Sequence, residues 1–180
     1  MAGLAPPDVP THRVGLVADT HGWLDPALAE HFAGVELILH AGDVGTEAVL
    51  HDLRVIAPVV AVRGNIDGGA LFDLPLETVV EVGGKRLALL HIAGSPHRPT
   101  RAAKDIIERE RPDVLVTGHS HIPVVGRVPG TLWINPGAAG RQGFHAERTA
   151  GLLTIGADGA VQLYRIHLGP RGRAAARAPI

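Results

Sequence analysis

The 180-residue sequence predicts an α/β protein in which two mixed β-sheets pack face to face between helices, a four-layer αββα sandwich. In the first half, short apolar runs alternate with segments of helical spacing, which is typical of parallel strands joined by helices. In the second half, short strands follow one another across turns such as Pro129-Gly130 and Asp158-Gly159, which indicates antiparallel pairing. With 46% apolar and 19% charged residues, the chain has the composition of one globular domain.

The elements follow from local patterns. Asp25-Pro26 predicts a helix start, because proline is favoured in the first helical turn. Gly83-Gly84 lies between two apolar runs and predicts a hairpin. The predicted strands are 13–18, 35–39, 59–62, 77–82, 85–90, 114–117, 123–128, 131–134, 149–155 and 160–168. The predicted helices are 27–32, 46–53 and 99–109, and 67–73 is predicted as a loop.

The composition also limits the domain organisation, the location, the partners and the metal ligands that we expect. We expect a flexible leader at 1–12, a single domain at 13–168 and a disordered tail at 169–180. No secretory signal or membrane-length apolar run is present, so a cytoplasmic location is expected. A net charge of −1 gives no reason to expect general binding to nucleic acid or to a membrane surface. Without cysteine, any metal must be held by imidazole, carboxylate or amide groups.

Side chains that can bind a metal follow five of the predicted strands. Ligand sites in α/β sheets lie beyond the carboxyl ends of parallel strands, so these side chains are expected to meet at one edge. Glycine precedes three of them and allows tight turns or close approaches. The candidate ligands are Asp19, His21, Asp43, Asn65, His91, His119 and His121.

Two aspartates, one asparagine and four histidines are more ligands than one metal can use while positions stay open for substrate. Two metals that share a bridging carboxylate would use them all. Such metals, about 3.5–4 Å apart, hold the attacking and leaving oxygens of a displacement at phosphorus and lower the pKa of a bound water to roughly 7. The ligand set therefore predicts two divalent transition metal ions, manganese first, with nickel, iron or zinc as alternatives.

Each motif also has a purely structural interpretation. Taken alone, Asp19 could be a helix N-cap, and His91 could be a core histidine. The dipeptides Gly42-Asp43 and Gly64-Asn65 could each be an ordinary turn. The pair His119 and His121 is hardest to explain structurally, and five coincidences at strand ends favour a site. His40 is left as either a support for the site or a strand-end residue. Arg141 is expected to be a solvated loop residue, with phosphate binding as the alternative.

The ordered motifs D-x-H, G-D, G-N, H and G-H-x-H resemble those of the calcineurin-like metallophosphoesterase superfamily over residues 13 to 165. The size, the GN-x-D form at Gly64 to Asp67 and Asn135-Pro136-Gly137 are similar to its small YfcE-type phosphodiesterase branch. The resemblance implies the same two-sheet sandwich. It assigns one metal to Asp19, His21 and His121. It assigns the other to Asn65, His91 and His119, with Asp43 as the bridge, and Asp43, Asn65 and His119 are the expected catalytic residues.

Two positions depart from the family pattern. Many larger members have a histidine directly after the motif asparagine that protonates the leaving group or binds the phosphate, and this chain has Ile66 there, which can do neither. The fourth-motif histidine is often followed by glycine, and this chain has Ile92. Without a general acid, esters with good leaving groups are favoured. His97 or His145 are the candidate substitutes, although each is expected to be a surface-loop histidine.

These observations predict a phosphodiesterase that hydrolyses a small phosphate ester by in-line attack of a hydroxide held by a dinuclear metal centre. A phosphomonoesterase or a nucleotide pyrophosphohydrolase could use the same centre. The alternative outside enzymes is a protein-binding scaffold of the retromer-subunit type. Nothing in the sequence predicts the oligomeric state.

Overall fold

The computed structural model describes residues 12–172, and strands dominate them. The strands are β1 (His12–Val17), β2 (Leu37–His40), β3 (Val59–Ala61), β4 (Glu77–Val82), β5 (Lys85–Leu90), β6 (Gly94–Ser95), β7 (Arg98–Pro99), β8 (Val114–Thr117), β9 (Val124–Val128), β10 (Thr131–Asn135), β11 (Glu147–Ile155) and β12 (Val161–Pro170). The helices are α1 (Leu28–His31), α2 (Glu47–Ile56) and α3 (Arg101–Glu110), with a 3-10 turn at Gly69–Asp73. No described helix has the length and apolar character needed to cross a membrane.

Two five-stranded sheets form the centre of the protein. The first has the order β12-β11-β1-β2-β3, and the second has the order β4-β5-β8-β10-β9. Strands β1, β2 and β3 are parallel, as are β5, β8 and β10, and antiparallel strands complete each sheet. Strands β6 and β7 form a separate small hairpin. Each sheet is therefore mixed, with a parallel part whose carboxyl ends lie along one edge.

The core is divided into three apolar clusters, which define the four layers. Residues Val14 and Leu16 of β1 pack against Leu87 and Leu89 of β5, between the sheets. On the outer face of the first sheet, Val17 packs with side chains of α1 and α2. On the outer face of the second sheet, Ala103 and Ile106 of α3 pack against Leu115 and Trp133. The predicted αββα sandwich is confirmed, and its alternating strand faces explain the order of the layers.

Every predicted helix and strand is present within 12–172, with ends that differ by three residues or fewer. The 3-10 turn and the β6–β7 hairpin were not predicted, because two-residue strands and a single turn carry no periodicity. His12 begins β1, and Gly169 and Pro170 end β12, so these residues do not belong to a leader or a tail. The rest of the predicted leader and the tail beyond Gly172 lie outside the described residues.

Candidate metal centre

All seven candidate ligands lie just beyond the carboxyl ends of β1, β2, β3, β5 and β8. Backbone hydrogen bonds join these ends within each sheet, from Asp19 N to Gly42 O at 3.0 Å and from Gly118 N to His91 O at 3.1 Å. Between the sheets, His119 N donates to both carboxylate oxygens of Asp19, at 3.2 and 3.1 Å. The edges of the two sheets therefore meet at the predicted site. Asp19 is no N-cap, because α1 begins only at Leu28.

The first group contains Asp19, His21, Asp43 and His121, whose ligand atoms all lie within 4.8 Å of one another. The Nε2 atoms of His21 and His121 are 3.2 Å apart. His121 Nε2 lies 3.5 Å from Asp19 Oδ1, and His21 Nε2 lies 3.6 Å from Asp43 Oδ2. Two imidazole nitrogens and two carboxylates thus converge on one small space.

The second group contains Asp43, His91 and His119 within the same 4.8 Å. Asn65 joins them, because its Oδ1 lies 3.1 Å from His91 Nε2 and 2.9 Å from His119 Nδ1. Asn65 and His119 are exposed, whereas Asp43 and His91 are buried. The second group is therefore open to solvent on the side of Asn65 and His119.

Asp43 belongs to both groups. Its Oδ2 faces His21, and its Oδ1 lies 3.2 Å from His91 Nε2. The backbone N–H of Ile66 donates to Oδ1 at 3.2 Å and fixes the carboxylate in this position. One buried carboxylate therefore offers one oxygen to each group, which is the placement that a bridging ligand requires.

The backbone around the ligands is unusual. Among the described residues other than glycine, positive φ angles occur at Asp19, His21, Asp43, His119, His121 and Arg111. Only Arg111 lies outside the site, at the carboxyl end of α3. Residues other than glycine are disfavoured at positive φ, so the surrounding structure must offset this conformational cost. The strain is thus concentrated at the strand ends that bring the candidate ligands together.

Two glycines permit close approaches in the site. A Cβ built on Gly64 would overlap the backbone N and Oδ1 of Asp43. Gly42 has a φ of +91°, and a Cβ there would lie 2.6 Å from Nδ1 of His91. Both glycines precede candidate ligands, as the sequence indicated, and both are required because ligand side chains pack directly against their backbone.

The donor set fits divalent cations, as its electrostatics show. Burial raises the pKa of Asp19 to about 7, and the charge of His91 and the N–H of His119 offset this rise only in part. Burial and the nearby His21 lower the pKa of His121 to about 4, which keeps its ring neutral and able to bind a metal. Burial is the largest single influence on Asp43 and works to raise its pKa, but the hydrogen bond with His91, the charge of His91 and the N–H of Ile66 together lower the pKa.

The tautomers also suit metal binding. His91 Nδ1–H donates to Ala41 O at 2.7 Å, so in the neutral ring the lone pair of Nε2 points toward Asn65 and Asp43. This arrangement is the usual one for a metal-binding histidine, in which the other ring nitrogen is held by an acceptor. Burial is the largest single influence and works to lower the pKa of His91, but the hydrogen bond to Asp43 and the charges of Asp19 and Asp43 together raise the pKa.

Asp67 organises the loops that carry the ligands, although the sequence interpretation gave it no role. Its buried carboxylate accepts hydrogen bonds from Gly64 N and Gly45 N, both at 2.8 Å, and from Val44 N at 3.1 Å. It therefore ties the loop of Asp43 to the loop of Asn65. The GN-x-D pattern was the available signal, because an aspartate in such a turn can accept backbone N–H groups.

His40 supports the site rather than simply ending β2. Gly42 N donates to its Nδ1 at 3.2 Å, and its Nε2–H donates to Thr20 Oγ1 at 2.9 Å. Thr20 Oγ1 in turn donates to Val44 O at 2.9 Å. Burial lowers the pKa of His40 to about 4, so the ring is neutral. These bonds join the strand ends of β1 and β2.

The expectation that His145 is a surface-loop histidine was wrong. His145 is buried, and its Nδ1 lies 3.1 Å from Nδ1 of His121. Its Nε2–H donates to Gly140 O at 3.0 Å, so its neutral Nδ1 can only accept. His121 therefore carries its proton on Nδ1, which leaves the lone pair of Nε2 facing Asp19 and His21.

The Asn135-Pro136-Gly137 segment fixes the loop of the histidine pair. Asn135 Nδ2 donates to Gly118 O at 2.8 Å and to Ser120 Oγ at 3.1 Å. Its Oδ1 accepts from Gly137 N at 2.9 Å. Asn135 thereby holds the backbone of Gly118 and the side chain of Ser120, on either side of His119.

The remaining candidates lie away from the ligand groups or contribute through the backbone. The side chains of Ile66 and Ile92 are exposed, and Ile66 reaches Asp43 only through its N–H. His97 is exposed in the turn between β6 and β7. The guanidinium of Arg141 lies 3.9 Å from the ring centre of Trp23, so it is engaged in a cation–π contact at the surface.

Comparison with known proteins shows the family and the fold of the chain. Residues 13–158 match the family model of the calcineurin-like phosphoesterase superfamily domain. A probable metallophosphoesterase of Methanothermobacter thermautotrophicus is 32% identical over 130 residues, 69% of this chain and 76% of that protein. An archaeal phosphodiesterase structure has a TM-score of 0.66 at 23% identity and covers 86% of this chain and 99% of its own. Vps29 of Entamoeba histolytica in complex with Zn²⁺ has a TM-score of 0.60 at 22% identity, covering 87% of this chain and 99% of its own.

Proposed function

The chain belongs to the calcineurin-like phosphoesterase superfamily, and we propose that it is a phosphodiesterase that uses two divalent metal ions. The observation that carries the proposal is Asp43, whose two carboxylate oxygens face separate groups of candidate ligands. Asp19, His21 and His121 would hold one ion, and Asn65, His91 and His119 the other. Two ions held in this way supply Lewis acidity at the phosphate and hydroxide near neutral pH.

The protein groups orient the reaction. Asn65 and His119 are the exposed members of the second group, so the phosphate of the substrate enters on their side. Asp19 and Asp43 lie in the buried floor, where they repel the anionic substrate unless cations are present. This arrangement makes phosphate binding dependent on metal. Asp43, Asn65 and His119 would then be the catalytic residues.

The leaving group receives little help from the protein. The position after Asn65 is Ile66, whose side chain cannot donate a proton. His145 is committed to Gly140 and His121, so it does not replace the missing acid. Since general acid catalysis contributes about 10²- to 10⁴-fold, diesters with acidic leaving alcohols are the preferred substrates.

The test is an assay of metal-stripped protein with Mn²⁺, Ni²⁺, Fe²⁺ or Zn²⁺ restored separately, Mn²⁺ first. Bis(4-nitrophenyl) phosphate should be hydrolysed faster than 4-nitrophenyl phosphate, and Asp43→Ala should abolish both activities. Asp105→Ala, on the exposed face of α3, is the matched control. Lack of activity with every metal on both esters would refute the proposal.

Two other functions use the same fold. A phosphomonoesterase would reverse the diester preference, so the ratio of the two rates separates it from a phosphodiesterase. A nucleotide pyrophosphohydrolase cleaves a phosphoanhydride bond, so a nucleoside triphosphate is the substrate that tests for it. The likeness to Vps29 favours a protein-binding scaffold as the second candidate. The complete ligand set argues for the enzyme, because a scaffold has no need of a neutral, oriented His121 or a shared Asp43. Close to two equivalents of transition metal after purification would support the enzyme.

A further inference from the structure

A cavity of about 670 Å³ opens directly beside the second ligand group. Asn65 and His91 are among its lining residues, so the cavity adjoins the candidate metal centre. Its outer walls include Phe72 from the 3-10 turn, Leu76 just before β4 and Ile92 just after β5. The volume lies in the range of small-molecule sites, about 300–1,000 Å³.

The walls are apolar and exposed. Phe72, Leu76 and Ile92 retain 63%, 59% and 42% of their accessible surface, although each is a large apolar side chain. Single exposed apolar residues are common on proteins, whereas three that converge on one cavity from separate segments mark a binding surface. A ligand that covers them gains the free energy of removing this surface from water.

Arg63 gives the cavity a positive charge and a rigid wall. Its guanidinium lies 4.1 Å from the centre of the Phe72 ring, and its Nη1 donates to Phe72 O at 2.8 Å. The cavity also has two acidic lining residues, Asp67 and Glu77. Glu77 is paired with Arg109 at 2.5 Å, and the carboxylate of Asp67 accepts three backbone N–H groups. Both carboxylates are thus engaged, and Arg63 offers a positive charge to an anionic ligand that also carries an apolar group.

We infer that this cavity binds an aromatic ester group of the phosphodiester substrate, an assignment that rests on the proposed function. A phosphate bound at the candidate metal centre beside Asn65 would lie next to this cavity, so that one of its ester groups would run along the wall of Phe72 and Leu76. An aromatic group gains from the Phe72 ring beyond its buried area. Aryl alcohols are also acidic, which suits a site with Ile66 in place of a proton donor.

Phosphonate inhibitors test the cavity without depending on which ester bond breaks. For the Mn²⁺-loaded enzyme, phenylphosphonate should inhibit diester hydrolysis with a Ki about tenfold below that of methylphosphonate, because the ring buries apolar surface. Phe72→Ala and Leu76→Ala should each bring this ratio toward one and leave inhibition by methylphosphonate unchanged. Val55→Ala, an exposed apolar residue on α2, should keep the full ratio.

The outcomes separate this inference from the proposed function. If the wild-type enzyme hydrolyses no diester with any metal, the proposed function fails. If it hydrolyses diesters but phenylphosphonate and methylphosphonate inhibit equally, the cavity assignment alone is overturned. Cyclohexylphosphonate that inhibits as well as phenylphosphonate would overturn the aromatic preference. Metal content and circular dichroism of each variant exclude loss of folding as the cause.

Discussion

The contact between His145 and His121 can be removed while every candidate ligand stays in place. His145→Ala deletes the acceptor that lies 3.1 Å from His121 Nδ1 and the donor to Gly140 O. The His121 ring then loses the partner that fixes its tautomer and its orientation. We expect weaker metal binding in the first group and little change in the second, since His91 and His119 do not contact His145.

The expected loss of metal affinity follows from the two hydrogen bonds that His145→Ala removes. A hydrogen bond in a partly buried site contributes about 0.5–1.5 kcal/mol, and 1.4 kcal/mol corresponds to about tenfold in affinity. Loss of a residue that orients a metal ligand costs about 10- to 100-fold in metal affinity. We therefore expect the affinity for the first metal ion to fall by about one to two orders of magnitude, and excess metal to restore the activity.

The assay is titration of stripped protein with Mn²⁺ or Zn²⁺ by calorimetry and by competition with a chelator. Wild type should bind two equivalents, and His145→Ala should retain one tight site and one weakened site. His145→Gln keeps a side-chain acceptor and should recover part of the loss. His51→Ala, exposed on α2, serves as the control. Two sites of wild-type affinity in His145→Ala would refute the role derived for His145.

Three further predictions address charge and loop structure. Because the pKa of Asp19 is raised to about 7 without metal, the carboxyl group is protonated below pH 7 and must lose its proton when a cation binds. Metal affinity should therefore rise with pH up to about 7. A calorimetric binding enthalpy at pH 6 that does not vary with the ionisation enthalpy of the buffer would contradict this. Asp67→Ala leaves three backbone N–H groups without their acceptor and should lower the free energy of unfolding by about 3 kcal/mol, measured by urea denaturation. A loss below about 1 kcal/mol would show that water replaces the carboxylate. Gly64→Ala should displace Asp43 and weaken both metals, whereas Gly68→Ala, where a Cβ has open space, should not; equal metal binding in the two variants would contradict the packing argument.

The sequence by itself determined the elements and the ligand types. Short apolar runs of Val, Leu and Ile have few alternatives to buried strands, and turn residues mark their ends, so strand positions were readable locally. The candidate ligands could be identified because each directly follows such a run. The absence of cysteine limited the donors to oxygen and imidazole nitrogen. The αββα class followed from the change of pattern between the two halves.

Only the tertiary structure decided which residues meet across the sheets. His119 N reaches Asp19 and His145 reaches His121 because the edges of two sheets and the 138–147 loop pack together. Such contacts depend on strand order and loop closure, and a loop residue carries no periodicity that reveals its burial. For the same reason His145 was expected at the surface, and Asp67 had no predicted role. The cavity of Phe72, Leu76 and Ile92 exists only because three separate segments converge beside the second ligand group.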